Sequence, residues 1–516
     1  MSSILTNNSA MVALQTLKSI NSDLSKTQSM ISTGKEVGSA RDNASVWAIS
    51  KVMEADVKGF QNISDSLSLG QSTVAVARNA SETVTDLLTE IKGKIVASQQ
   101  SNVDRGKIQT DVEALTGQIK SVLSAAQFNG QNLVDNFDEA SILSSLDRAN
   151  DGTVTAASIS FTGQNLTTDA GTLETATAIN RIGSVDDAGA YTIGGGATLE
   201  NTANTATVTL ATDLNNGDTV TINVGDQQFT YTNNDFNGDG SAMAIADLED
   251  VVAAGLGSLG LENVTTSVTG AGEITLSSTN AFESFAISGS SPTTTVTVAG
   301  DGAGSDTLIA RAETISLGGQ NGGAVNEGDG YQIALGGNTF NYVAKAGDTL
   351  NDVASGLKRV IDAGGVAGIS VKVNTVNDPV LSAPTIQIDN SDASAVTLTV
   401  DDGAGGIASG GLIGLDGIDV TTTEGAQNAL ANIEGLIQTA INAAAEFGSV
   451  QGRIDSQSEF ISNLTDSLKS GIGSLVDADM EAASARLQAL QVQQQLGIQS
   501  LSIANQAPQS ILSLFR

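Results

Sequence analysis

Residues 49–95 read ISKVMEADVKGFQNISDSLSLGQSTVAVARNASETVTDLLTEIKGKI. Within them Ile49, Met53, Asp56, Phe60, Ile63, Leu67, Gly70, Val74, Ala77, Ser81, Val84, Leu88, Ile91 and Ile95 follow one another at alternating steps of four and three. All are apolar or small except Asp56. Such steps put every member on one side of an α-helix, so the stretch predicts a coiled-coil seam of about six heptads. A helix with a single apolar seam is not stable alone in water, so a partner seam must exist.

The other end of the chain supplies one. Leu430, Ile433, Ile437, Ala440, Ala444, Phe447, Gln451, Ile454, Ser458, Ile461, Thr465, Leu468, Ile472 and Leu475 keep the same alternation. The register breaks around Asp477–Asp479 and resumes as Met480, Ala483, Leu487, Leu490, Gln494, Gly497, Leu501 and Ala504. The beginning mirrors this: Ala10, Leu14, Leu17, Asn21, Leu24, Gln28 and Ile31 form a stripe, followed by Gly34 and Gly38. A slip between two helical runs predicts a joint. A further run, Ile108 to Ala126, has Asp104 as its expected N-cap. It ends at Phe128-Asn129-Gly130, and Asn-Gly is the favoured pair for a two-residue hairpin turn.

Pairing the two flanks makes everything between them an insertion, which loop-closure entropy tolerates. Residues 141–420 hold 41 of the 56 glycines and carry −26 of the net charge of −34. The segment TVTLATDLNNGDTVTINVGDQQFTYT (207–232) alternates with period two, and a second copy follows at a constant offset: Asp218, Phe229 and Tyr231 recur as Asp329, Phe340 and Tyr342, each 111 residues on. A helical stretch and more alternating strands follow each copy, which predicts two related α+β modules over about 205–300 and 312–402. The expected fold is multidomain, α plus α+β/β. Residues 1–33 with 478–516 would form a terminal helical domain. Residues 34–140 with 421–477 would form an inner helical bundle ending in a short hairpin. Residues 141–420 would form an acidic, β-rich insertion.

The composition excludes several functions. A net charge of −34 repels phosphate, so no nucleic-acid partner is expected. There is no cysteine and no histidine, which removes disulfides, thiolate chemistry, Ser-His-Asp triads and HExxH zinc sites. No enzyme and no cofactor is expected. No run of 18 apolar residues occurs, so no membrane insertion is expected. The start, MSSILTNNSAMVALQ, lacks the basic and apolar regions of a secretory signal peptide, which predicts an export route without cleavage, or none. Asp235, Asn237, Asp239 and Gly240 match the opening of a calcium loop, but Ala246 stands where its bidentate Glu belongs, and a solvated acidic turn is the commoner meaning; no metal is assigned.

The outermost segments ask for neighbours. Residues 1–33 carry only Lys18, Asp23 and Lys26, and residues 478–516 only Asp479, Glu481, Arg486 and Arg516. Apolar residues also lie off their main stripes, and Ile511, Leu514 and Phe515 reach almost to the carboxylate. Two such helices paired only with each other leave apolar surface exposed, and heterologous contacts that do not close give a helical filament. The candidate polymerisation residues are Leu14, Leu17, Leu24, Ile31, Leu487, Leu490, Leu496, Leu501, Ile503, Ile511, Leu514 and Phe515. The inner seam is assigned to Ile49, Phe60, Ile63, Leu67, Leu88, Ile91, Ile95, Ile433, Ile437, Phe447, Ile454, Ile461 and Leu468, and the turn to Asn129 and Gly130.

Three stretches resemble one family. They are residues 2–50, with ISTG and RDNAS; QFNGQNLV (127–134); and RIDSQSEF through SILSLFR (453–516). In order and spacing they are similar to bacterial flagellin. The resemblance implies a subunit that polymerises with copies of itself into the extracellular flagellar filament used for swimming. It implies that the outer helices line the filament core, that the acidic insertion points outward, and that export proceeds without a cleaved signal peptide. An export chaperone, a cap protein and the hook–filament junction protein are the further partners it implies. The junction protein itself, which shares both terminal patterns, is the alternative identity. A secreted adhesin with a helical stalk is another, against which the near-neutral apolar termini argue.

Overall fold

The 49–95 stripe lies on one unbroken helix. The computed structural model has seven α-helices among its described residues: α1 (Asn8–Thr33), α2 (Ala44–Ser98), α3 (Arg105–Ala125), α4 (Ile245–Ser258), α5 (Leu350–Ala363), α6 (Thr423–Val476) and α7 (Met480–Leu514). The structure describes residues 7–148, 153–185, 191–211, 214–234, 245–258, 261, 263–270, 272–299, 307–318, 324–375 and 383–514, with backbone alone at 191, 245, 270 and 507–514.

Two compact units result. The first takes Met1–Ala75, Glu139–Phe161 and Gly448–Arg516; the second takes Val76–Asp138 and Thr162–Phe447. Helices α2 and α6 each give residues to both. These limits differ from divisions at 140 and 420. Residues 139–161, expected almost wholly within the acidic insertion, belong with helices of the first unit.

In that first unit, α1 starts where Asn7 Oδ1 accepts from Ala10 N at 3.0 Å, and it stops at Gly34, whose φ of 68° a side chain would strain. The break between α6 and α7 lies opposite this stop. Ala478 N donates to Gly34 O at 2.9 Å and Glu36 N to Val476 O at 2.7 Å. Asp479 Oδ1 then accepts from Glu481 N and Ala482 N and caps α7. The register slip and the two glycines are thus one joint. Strands β1 (Gln127–Phe128) and β2 (Gln131–Asn132), in the second unit, form the small hairpin after α3. Strands β3 (Glu139–Arg148) and β4 (Val154–Thr162) pair with each other, and β3 lies against α2 where Gly59 faces Leu146 and Gly70 faces Ile142.

The second unit joins a helical part to two modules. Val84, Leu88, Ile91 and Ile95 of α2, Val112, Ile119 and Leu123 of α3, and Ile433, Leu436, Ala440 and Phe447 of α6 are buried. The first module contains β8 (Asn204–Leu210), β9 (Thr219–Val224), β10 (Gln227–Thr232), α4, β11 (Val264–Gly270), β12 (Glu273–Ser278), β13 (Phe285–Ser290), β14 (Val296–Ala299) and β15 (Thr307–Leu308). Its sheets run β10-β9-β13-β15 and β11-β12-β8-β14. The second contains β16 (Glu313–Ser316), β17 (Gly330–Leu335), β18 (Asn338–Val343), α5, β19 (Ile369–Asn374), β20 (Thr385–Asn390) and β21 (Val396–Gly403). It is completed by β5 (Gly183–Val185), β6 (Tyr191–Ile193) and β7 (Gly196–Leu199), in the orders β19-β20-β16-β5-β6 and β18-β17-β21-β7.

The two modules therefore share a strand plan, and β5 stands beside β16 as β14 stands beside β8. The shared Gly-Asp turn repeats in detail: Asn215 N and Asn326 N donate to Asp218 Oδ2 and Asp329 Oδ2, each at 2.8 Å. Because β5–β7 precede the first module in sequence and complete the second, the first module is itself an insertion within the second.

Candidate assembly site

Helices α1 and α7 pack on each other with an interface thinned by glycine. A Cβ at Gly497 would lie 3.2 Å from Leu17 Cδ1 and 3.8 Å from Ile20 Cδ1. Polar contacts fix the register: Asn7 Nδ2 donates to Ala504 O at 2.8 Å and Gln494 Nε2 to Asn21 Oδ1 at 2.7 Å. Near the joint, Lys51 and Lys35 both reach Glu54, at 2.6 and 3.6 Å. The Lys51 hydrogen bond is the main cause that holds the Glu54 carboxyl below its usual range. The Ser39 hydroxyl and backbone do the same for Asp42.

Part of what the pair leaves uncovered is apolar. Of nineteen large hydrophobic side chains exposed among the described residues, eight lie on these two helices: Met11, Val12, Leu14, Met480, Val492, Leu496, Ile498 and Ile503. Leu14 is 57% exposed, Leu496 55% and Ile503 69%. Leu490 is buried, and Leu17, Leu24, Ile31, Leu487 and Leu501 are half-buried. The side chains of Ile511 and Leu514, and all of Phe515, lie outside the described residues. Burial near 25 cal/mol per Å² gives so large an aliphatic surface a strong drive to be covered.

Along the inner seam, Phe60, Ile63, Leu67, Leu88, Ile91, Ile95, Ile433, Phe447, Ile454 and Ile461 are buried. Ile49 is 52% exposed, and Ile437 and Leu468 are half-buried. Between 433 and 454 of α6 the buried positions are Ile433, Leu436, Ala440, Ala443, Phe447, Val450 and Ile454. They take a phase one residue from Ile437 and Ala444. Both phases satisfy a four-three rhythm, so the heptad alone could not separate them; counting the unbroken Ala429, Leu436, Ala443, Val450 series would have shown the second. At the turn, Asn129 and Gly130 have φ of 52° and 80° between paired Phe128 and Gln131. Asp235, Asn237 and Asp239 lie outside the described residues. No described helix is long and apolar enough to cross a membrane.

Residues 4–139 match the bacterial flagellin N-terminal helical region, and residues 430–515 the bacterial flagellin C-terminal helical region. Flagellin A of Rhizobium meliloti is 30% identical over 521 residues, covering 100% of both chains. The chain belongs to the bacterial flagellin family. Flagellin D of the same organism is likewise 30% identical, over 525 residues and 100% of both chains. Among solved structures, flagellar hook associated protein-3 of Legionella pneumophila aligns with 82% of this chain and 98% of its own, at 8% identity and a TM-score of 0.31. The protein is a structural subunit of the flagellar filament, an extracellular appendage that serves motility.

Proposed function

We propose that copies of the chain polymerise through the α1–α7 surface, with residues 1–33 and 478–516 as the filament core and residues 34–140 with 421–477 as the layer around it. The observation that carries this is the concentration of exposed aliphatic side chains on two helices already paired with each other. Leu14, Leu496 and Ile503 are the outward contacts, and Leu17, Leu24, Ile31, Leu487, Leu490 and Leu501 hold the pair itself. The strongly acidic 141–420 region faces the medium, where like charge keeps filaments apart. Subunits leave the cell without a cleaved signal peptide, and an export chaperone shields the apolar C-terminal segment on the way. A cap protein and the hook–filament junction protein meet the same helices at the two ends of the filament.

Seeded elongation tests this. Sheared filaments are mixed with the full chain, with Leu496→Gln/Ile503→Gln, or with a chain lacking residues 1–33 and 478–516, and growth is followed by light scattering and electron microscopy. The full chain should elongate, the double variant at least tenfold more slowly, and the truncated chain not at all while keeping its helical circular dichroism. Elongation of the double variant at the full rate would move the contact elsewhere.

A further inference from the structure

A cavity of about 350 Å³ in the second unit opens between α5, the loop after β18 and helix α6. Arg359 of α5 faces it. The residue as a whole is half-buried, but its Nε has no accessible surface and no hydrogen-bond partner. Helix α6 comes this close because Gly435 has no side chain; a Cβ there would lie 3.3 Å from Arg359 Nη1. A ligand in the cavity cannot reach Nε, but no hydrogen bond or ion pair of the Arg359 side chain is present among the described residues, so Nη1 and Nη2 are the donors it offers there.

The carboxylates around the cavity are already engaged. Asp348 Oδ2 accepts from Tyr342 Oη at 2.7 Å and from Lys345 N at 3.0 Å. Asp352 Oδ2 accepts from Thr349 N at 2.8 Å and Thr349 Oγ1 at 2.7 Å, closing the capping box of α5. Neither forms an ion pair with Arg359 among the described residues. Lys345 adds a second cation to the rim, and Ser355, Gln438 and Asn442 supply hydroxyl and amide groups. Burial lowers the Arg359 pKa and raises that of Asp348, so an anion near the guanidinium would relieve the first.

We propose that this cavity binds a small hydroxy-carboxylate, whose carboxylate takes the Nη1 and Nη2 donors of Arg359 and whose hydroxyls meet Asn442, Gln438 and Ser355. A planar guanidinium matches a carboxylate with two parallel hydrogen bonds. The nearby Asp348 and Asp352 disfavour a dianion such as phosphate more than a single carboxylate. The cavity lies within the size range of small-molecule sites. Because Arg359 comes from α5 and Asn442 from α6, the ligand would tie the second module to the helical part.

Calorimetric titration of the full chain with sodium gluconate, lactate and inorganic phosphate tests this, at one ionic strength. Gluconate should bind saturably, and phosphate at least tenfold more weakly. Arg359→Met should weaken gluconate at least tenfold. Asn442→Asp, at an exposed helix position, sets a negative charge in the cavity wall and should weaken gluconate at least tenfold. The absence of saturable gluconate binding, an affinity unchanged in Asn442→Asp, or phosphate binding as tightly as gluconate would each overturn the assignment.

Discussion

Arg311 donates from Nε and Nη2 to the two carboxylate oxygens of Asp389, each at 2.7 Å, and the Asp389 side chain is only 2% exposed. Arg311 Nη1 donates to Asn201 Oδ1, while its backbone N donates to Asn280 O at 2.9 Å. One residue between β15 and β16 thus holds a loop of the first module with its main chain and β20 of the second with its side chain.

Arg311→Met should destabilise the modules by about 3–5 kcal/mol, because it strands a buried carboxylate. Arg311→Lys keeps the charge but loses the two-pronged geometry, and its loss should be smaller. Arg311→Met/Asp389→Asn should recover part of the first loss. Denaturant unfolding followed by circular dichroism measures all three, and a shift under about 1 kcal/mol in Arg311→Met would refute this account of the joint.

Two glycines of α2 make opposite predictions. A Cβ at Gly70 would sit 2.4, 2.8 and 2.9 Å from Cδ1, Cγ1 and Cγ2 of Ile142, so the whole isoleucine must move. A Cβ at Gly59 would meet only Leu146 Cδ1, at 2.8 Å, the tip of a flexible chain. Each Gly→Ala change gains about 1 kcal/mol of helix propensity. Gly70→Ala should still lose a net ~1–2 kcal/mol to overpacking, whereas Gly59→Ala should be neutral or stabilising. Thermal melts compare them directly; equal effects would mean that β3 does not seat on α2 as described.

The parts of this structure legible in sequence are those with a local period or a local turn. The four-three stripes lie on helices α1, α2, α6 and α7, the 111-residue offset matches β9–β10 to β17–β18, and Asn129-Gly130 carries the two positive φ angles of its hairpin. Pairings across long separations left no such mark. Nothing periodic in 183–199 tells that β5 and β7 join strands more than a hundred residues on. Asp402, in the run VDD, looks like a solvated strand end, yet it is 4% exposed. Gly70 counted only as a small member of the seam, because its partner Ile142 comes from a strand that the composition assigns to the insertion. Arg359 sits in an ordinary amphipathic helix, and only the approach of Gly435 gives it a cavity.

Asp402 closes one of those long-range pairings. Its Oδ1 accepts from Ile179 N at 3.1 Å and Asn180 N at 3.0 Å, and its Oδ2 from Arg181 N at 2.5 Å and Ile182 N at 3.1 Å. Four consecutive amides depend on one carboxylate. Asp402→Asn turns an acceptor into a donor facing donors, and Asp402→Ala leaves the amides without it. Each should lose at least about 3 kcal/mol. The loss should be local first, so hydrogen exchange at amides 179–182 should accelerate at least a hundredfold. Exchange at the native rate would show that the segment is held by something else.

Tyr331 makes the second module sensitive to alkali. Burial pushes its phenol up to about 12, against a lowering influence from the neighbouring Arg181. Tyr342 is displaced in the same direction, also by burial. An unfolded tyrosine titrates near 10. The folded state therefore holds the proton more tightly than the unfolded state. The contribution is fully present below pH 10 and falls away as pH rises from 10 through 12, by about 2 kcal/mol for Tyr331. Lysines titrate in the same range, so the comparison is with Tyr331→Phe, which lacks only the titrating hydroxyl. The stability difference between wild type and variant should be constant from pH 7 to 9. It should then move in the variant's favour up to pH 12. A difference that stays flat to pH 12 would mean that the phenol ionises without leaving the folded state, in a site far better solvated than its buried position allows.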